Sequence, residues 1–309
     1  MNEKYYALKE IPKLKLSSYN EFYSSLNEPI ILKRFVKYDF LPKIITSFQD
    51  LDNLYLITNF FEGDILYNYK DENMSETQIK FIAACIIQSL SYLRKEKIIN
   101  RDVRMKNVIM DNHKYLNLID FSFAINYSDK NNKKTYITPS KFEGSPEIFN
   151  HSMYDYNSDY YRIGTIIYYL IFKKFPDLNK KQDNTNRFDF KNAKNYTSTC
   201  IDFLHKLLIT DYKKRIGFNN INELKNHNWF GNFNWEKFEK KKIKSPLKFM
   251  EKKFNIIYCK KFLIKKKSKN LNLLLKKNKN LKKMIKNYDY VNQKIILKIL
   301  FQNKIQKYI

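Results

Sequence analysis

The chain has 309 residues, 43% hydrophobic and 29% charged, enough apolar material to bury one large core or two small ones, which excludes wholesale disorder. Lys and Arg outnumber Asp and Glu by 58 to 31, a net charge of +27. That excess is local: residues 241–309 hold 22 Lys and no Arg against only Glu251 and Asp289, a net +20, leaving +7 for the first 240 residues.

In chain order, residues 4–10 and 54–61 are bulky, β-branched or aromatic and predict strands. Between them, Ser18 to Phe35 has helical spacing of Phe22, Leu26 and Ile30, with Pro29 expected to kink the helix. Ser75 and Gln78 form a capping box ahead of a broad apolar face, predicting a helix that ends near Lys95. Short strands follow at Val108–Met110 and Leu116–Ile119, then helices at 158–172, 198–209 and 221–227. The apolar run Tyr160–Phe172 is shorter than the roughly 18 residues of a membrane span and contains Arg162. It therefore reads as a buried helix, and with no apolar leader in MNEKYYALKE a soluble protein is expected. The three cysteines, Cys85, Cys200 and Cys259, are scattered and include no CxxC pair, so they predict neither a disulfide framework nor a zinc site and fit a reducing compartment, cytoplasm or nucleus.

The residues that carry chemistry are Asn100-Arg101-Asp102-Val103-Arg104-Met105-Lys106-Asn107, with Asp120-Phe121-Ser122 thirteen residues after Asn107. Short strands bracket the turn between them, so Asp102, Asn107 and Asp120 converge. That set suits a proton acceptor for a hydroxyl beside two oxygen ligands for Mg²⁺. Taken singly, each is equally a turn residue, and Lys9 is equally a solvated strand lysine.

Taken together they resemble the eukaryotic protein kinases, whose catalytic loop reads H-R-D-x-x-x-x-N and whose metal motif reads D-F-G. Tyr6-Ala7-Leu8-Lys9 resembles the strand whose lysine holds the ATP phosphates, and Leu26-Asn27-Glu28 the helix whose glutamate pairs with that lysine. Ser145-Pro146-Glu147 stands for A-P-E, Asp159 for the aspartate that opens a buried helix, and Arg215 for the partner of the A-P-E glutamate. His227-Asn228-Trp229-Phe230, Asn234-Trp235 and KKIKSPL resemble the end of the domain in the AGC group, the cyclic-nucleotide-dependent and phosphoinositide-dependent kinases and their relatives.

The resemblance implies an α+β, bilobal kinase fold over residues 1–247, with a truncated β-containing small lobe at about 1–58, a mainly helical large lobe at about 62–247, and a Lys-rich, helical tail at 248–309. It implies a Ser/Thr kinase using ATP and Mg²⁺: Asp102 as base, Arg104 at the γ-phosphate, Asn107 and Asp120 on metal, and Lys9, Glu28, Asn59, Phe61 and Asp120 binding nucleotide. Ser140 matches the threonine that favours Ser/Thr acceptors. Ile65, Lys106 and Tyr169 replace the carboxylates that select arginine-rich substrates in basophilic relatives. Arg101, with Thr135, Tyr136 and Thr138, marks a segment where an added phosphate would pair with the arginine.

Three substitutions, Asn100 for the usual His or Tyr, Arg104 for lysine and Ser122 for glycine, remove no catalytic charge. Only eight residues precede Lys9, and the five glycines, at 63, 144, 164, 217 and 231, build no glycine-rich phosphate loop. This leaves open a pseudokinase scaffold or a gene start lying upstream. The tail mixes lysine clusters with apolar residues, which suits either a helix packed on the small lobe or a basic amphipathic segment for anionic lipid, nucleic acid or an acidic partner.

Overall fold

The computed structural model describes residues 5–16, 19–128, 144–149, 154–176, 193, 195–248, 288 and 305–307. The chain divides into one unit of residues 1–38, 42–61 and 252–309 and another of residues 39–41 and 62–251.

In the smaller unit, β1 (Tyr6–Pro12), α1 (Tyr19–Leu32), β2 (Ile44–Gln49) and β3 (Asn53–Asn59) build a sheet against one helix. β1 runs antiparallel to β3 with Lys9 opposite Leu56, and β3 pairs with β2 through a register shift between Ile44 and Thr46. Successive side chains of a strand point to opposite faces. Leu8 and Tyr6 therefore join Tyr55 and Ile57 on one face, while Ile11 packs with Leu16, Phe22, Leu26, Leu54 and Tyr288 on the face that meets α1. Lys9 has the parity of Ile11 and so faces the helix.

α1 runs on through Pro29. Proline removes the amide that would reach back one turn to the Ser25 carbonyl and sets its ring against that carbonyl, and the helix ends three residues later at Leu32. The strand β2 has no counterpart among the sequence expectations, because IITSFQ alternates too weakly to separate from a loop. The tail departs from its helical expectation at Ile305–Lys307, a strand that adds in parallel to β1. An edge strand offers unpaired N–H and C=O groups, and pairing them outweighs the local preference. Tyr288 is buried in the α1 cluster, and its carbonyl accepts from Ser47 Oγ. The rest of residues 249–309 lies outside the described residues.

In the larger unit, α2 (Glu76–Lys95) starts at the expected capping box, with Ser75 and Gln78 bonding each other's backbone, and ends where the pattern placed it. β4 (Ile98–Ile99) leads into the loop of Asp102. β5 (Val108–Met110) and β6 (Leu116–Leu118) form a hairpin, and β7 (Ile125–Asn126) returns to pair with β4. Short α3 (Pro146–Phe149) precedes α4 (Tyr156–Phe172), capped by Asp155 and closed by Lys173 in the left-handed region at φ 57°. α5 (Ser198–Leu207), α6 (Asn222–Lys225) and α7 (Trp235–Glu239) complete it.

α4 is buried all round, which is why its sequence reads as a continuous apolar run instead of a stripe. Gly164 lets it approach α5 closely, since a Cβ there would stand 2.8 Å from Leu208 Cδ2. Phe203, Trp229, Phe230, Phe233, Trp235 and Phe238 form a ring-on-ring core at centroid spacings of 4.9–5.9 Å. Among the described residues, no helix is long and apolar enough to cross a membrane.

Candidate active site

In the smaller unit the parity argument is realised: Lys9 Nζ lies 2.9 Å from Glu28 Oε2, with the glutamate side chain 4% exposed and the lysine 35%. A buried carboxylate thus fixes a lysine whose head still meets solvent. Asn59 ends β3, and its side-chain oxygen accepts from the Lys43 amide at 2.6 Å. The Asn59 amide in turn donates to the Lys43 carbonyl at 3.0 Å, so both groups tie the end of β3 to the chain. Phe61, two residues on, is 9% exposed.

In the larger unit the loop after β4 is anchored from below. Asp159, in the first turn of α4, accepts the amides of Asn100 at 2.8 Å and Arg101 at 3.0 Å. Burial raises the Asp159 carboxyl to about 6, against the pull of those two amides and of Arg162 and Arg101. Asn100 Oδ1 accepts the Asp102 amide at 2.9 Å, so the polar residue in this position serves the loop itself. Its Nδ2 is buried with no hydrogen-bond partner among the described residues.

Arg101 adopts φ 69° and its Nε donates to the Phe123 carbonyl at 2.6 Å. A non-glycine residue is uncommon there, and such strain persists only where surrounding bonds hold it. Asp120, the other end of the constellation, is also left-handed at φ 62°, with Oδ1 accepting from Ser122 N at 3.2 Å and Oγ at 2.7 Å. A serine in place of glycine therefore adds one side-chain bond to this carboxylate, the amide bond being open to either residue.

Asp102 is the centre. Its Oδ2 accepts from Asn107 Nδ2 at 2.6 Å and lies 3.2 Å from Arg104 Nε; its Oδ1 lies 3.5 Å from Arg162 Nη1. The Arg104 contact is an ion pair without hydrogen-bond alignment. Asn107 Nδ2 also donates to the Asp102 carbonyl at 3.0 Å. With both amide protons so directed, the amide oxygen is the atom left for a cation.

The hairpin brings the two proposed ligands together, since Ile119 N donates to the Asn107 carbonyl at 2.8 Å and Asp120 follows directly. An amide oxygen and a carboxylate form a hard-oxygen donor set of the kind that suits Mg²⁺, an ion that takes few protein ligands and fills its sphere with water and phosphate. The residues present fit the ion.

The paired groups elsewhere behave as the motif implied. Arg215 grips Glu147 with Nη1 at 2.7 Å and Nη2 at 2.9 Å, both buried. Thr135, Tyr136, Thr138 and Ser140 lie outside the described residues. Lys106 holds its ammonium 4.9 Å above the Tyr67 ring. Next to Ile65, Asp64 accepts from the Ile65 amide at 2.8 Å and from Asn68 Nδ2 at 2.7 Å.

Sequence reasoning missed Arg162 as a neighbour of Asp102. The signal available was a lone cation in a largely apolar helix, three residues after Asp159 and hence on the same face.

The protein kinase domain family matches residues 1–230. Among similar proteins, serine/threonine-protein kinase Sgk1 of Danio rerio is 28% identical over 79% of this chain and 58% of its own length. Sgk1 of Xenopus tropicalis is 30% identical over 79% of the chain and 60% of its length. The cAMP-dependent protein kinase catalytic subunit of Schizosaccharomyces pombe is 30% identical over 79% and 49%. The chain thus spans about half to three-fifths of these relatives. Order of motifs, the Lys9–Glu28 and Arg215–Glu147 pairs and this likeness agree: the chain belongs to the protein kinase family, in its AGC group.

Proposed function

We propose that the chain is a protein serine/threonine kinase that uses ATP and Mg²⁺. The observation that carries the reading is the Asp102 carboxylate held by Asn107 Nδ2 at 2.6 Å, with Arg104 beside it. Mg·ATP supplies the transferable phosphoryl group. Asp102 orients the acceptor hydroxyl and takes its proton as the oxygen bonds to the γ-phosphorus, while the bond to the bridging oxygen breaks and ADP leaves. Arg104, 37% exposed, offers a guanidinium to the charge on the transferred group. Asn107 and Asp120 hold the metal, Lys9 is oriented by Glu28 for the phosphates, and the backbone near Asn59 and Phe61 meets the base.

Phosphorylation of a generic protein substrate by the wild type, compared with Asp102→Asn, tests this. Loss of about 10²-fold or more is expected, the usual contribution of a positioned acid or base; equal rates would end the enzyme reading.

The substrate class follows from charge. With Ile65 and Tyr169 apolar or aromatic and Lys106 cationic, no arginine requirement is expected, and a peptide array demanding upstream arginine would contradict this. The net +20 of residues 241–309 supports contact with an anionic lipid surface or an acidic partner. Liposome binding that collapses between low and high salt checks it. Scattered cysteines support a reducing compartment, cytoplasm or nucleus.

A further inference from the structure

We propose that Arg162 is a positioning residue for Asp102, a buried cation that fixes the carboxylate's rotation from the floor of the site; this rests on the kinase reading above. Arg162 is 2% exposed, and its Nε has no hydrogen-bond partner among the described residues. A guanidinium placed so is a liability for folding, because a buried charge is poorly repaid by an ion pair of imperfect geometry. Its contacts explain the placement. Nη1 lies 3.5 Å from Asp102 Oδ1, the oxygen opposite the one taken by Asn107 and Arg104.

Without Arg162 every cationic or N–H contact to the Asp102 carboxylate falls on Oδ2, and nothing opposes its turning further toward Arg104 and Asn107. With it, the two oxygens are drawn to opposite sides and the carboxylate plane is set. The same face of α4 also delivers Asp159 to the amides of Asn100 and Arg101. One helix turn thus holds the loop backbone with an anion and its reactive side chain with a cation. α4 is buried around Arg162, which suits it to the task.

The test uses the full chain with Arg162→Met and Arg162→Lys. Methionine fills similar space without charge but leaves the Asp102 and Asp159 carboxylates without that cation, so some loss of stability is expected and rates are compared at a temperature where every variant is folded. The expected result is a kcat lower by about 10–100-fold in Arg162→Met, with KM for ATP and peptide within about threefold, because misplacing a reacting group by a fraction of an ångström is a rate effect. Arg162→Lys, which restores the charge, is expected to recover at least part of kcat.

A kcat within threefold of wild type in folded Arg162→Met overturns the proposal. So does a lysine variant no better than methionine, or a loss confined to thermal stability. Should the wild type itself show no turnover, the kinase reading fails separately. Hydrogen exchange then decides: faster exchange at residues 100–104 in Arg162→Met supports positioning, and unchanged exchange refutes it.

Discussion

Replacing Glu147 with alanine is the sharpest test of how the larger unit is held. The Arg215 side chain is 0% exposed; Nε donates to the Ile209 carbonyl at 3.0 Å, Nη1 to Glu147 and to the Asn157 carbonyl at 2.7 Å each, and Nη2 to Glu147 at 2.9 Å. Removing the carboxylate leaves the guanidinium buried against two carbonyls and the Tyr161 ring at 4.8 Å. It also strands the Ser158 hydroxyl, which donates to Glu147 Oε1 at 3.0 Å.

Unit charges about 4 Å apart at an effective dielectric of about 20 interact by about 4 kcal/mol, and breaking one side of a buried pair costs about 3–5 kcal/mol. For a unit of this size, about 2–4 °C per kcal/mol turns that into a fall in Tm of roughly 6–20 °C. The double variant Glu147→Leu with Arg215→Met removes both charges and is expected to recover most of the loss, since apolar replacement of a buried pair is often neutral.

The pair has a pH signature. Burial alone would raise the Glu147 carboxyl, but the Arg215 hydrogen bonds and charge outweigh it and hold it below the ordinary 4.5. A depressed carboxylate contributes stability that is present above 4.5 and lost as pH falls through the lower, folded value. Calorimetry or urea unfolding from pH 7 to pH 3 reads both effects. A single variant that loses less than about 1 kcal/mol, the scale of an exposed pair, would refute the reasoning, as would a double variant that costs as much as the single ones combined.

Asp159 titrates the other way. Its carboxyl is raised to about 6, so protonation favours the folded form, and the stability this gives is fully present below 3.8 and lost as pH rises through 6. Because the charged form is the stronger acceptor for the Asn100 and Arg101 amides, activity is expected to fall below about pH 6 and that step to vanish in Asp159→Asn; an unchanged pH profile would contradict the anchoring role. Lys9→Met is expected to lower stability, since it takes the cation from the buried Glu28 carboxylate, and to abolish most phosphoryl transfer at temperatures where the variant is folded, read as kcat/KM for ATP alongside Tm. Gly217→Ala is expected to lower stability by about 1–3 kcal/mol, because the site has φ 94° and a Cβ would stand 2.5 Å from Leu224 Cδ1; unaltered melting would show that the turn relaxes freely.

The residues decided a good deal by themselves. The capping box at Ser75 and Gln78 depends on neighbours three apart, so α2 was readable to its ends. The strands of the β5–β6 hairpin were readable from short apolar pieces flanked by polar turns, while the Lys9–Glu28 and Arg215–Glu147 pairs were implied by the resemblance to protein kinases. The strands β2, β4 and β7 were not readable, since a short strand is defined by the partner it hydrogen-bonds, and that partner is distant in sequence.

The same reason explains the tail. Nothing local in Ile305–Lys307 marks a strand; the open edge of β1 does. Asn59 showed as a residue of interest, while the commitment of its side chain to Lys43 depended on where β3 ended. Above all, Arg162 read from sequence only as a charge that made a membrane span untenable. Folding placed it beneath Asp102, because helix periodicity sets it one turn from Asp159 and the packing of α4 under the loop sets what that face meets. Charge and spacing are properties of the chain, whereas the partner of a buried charge is chosen by packing.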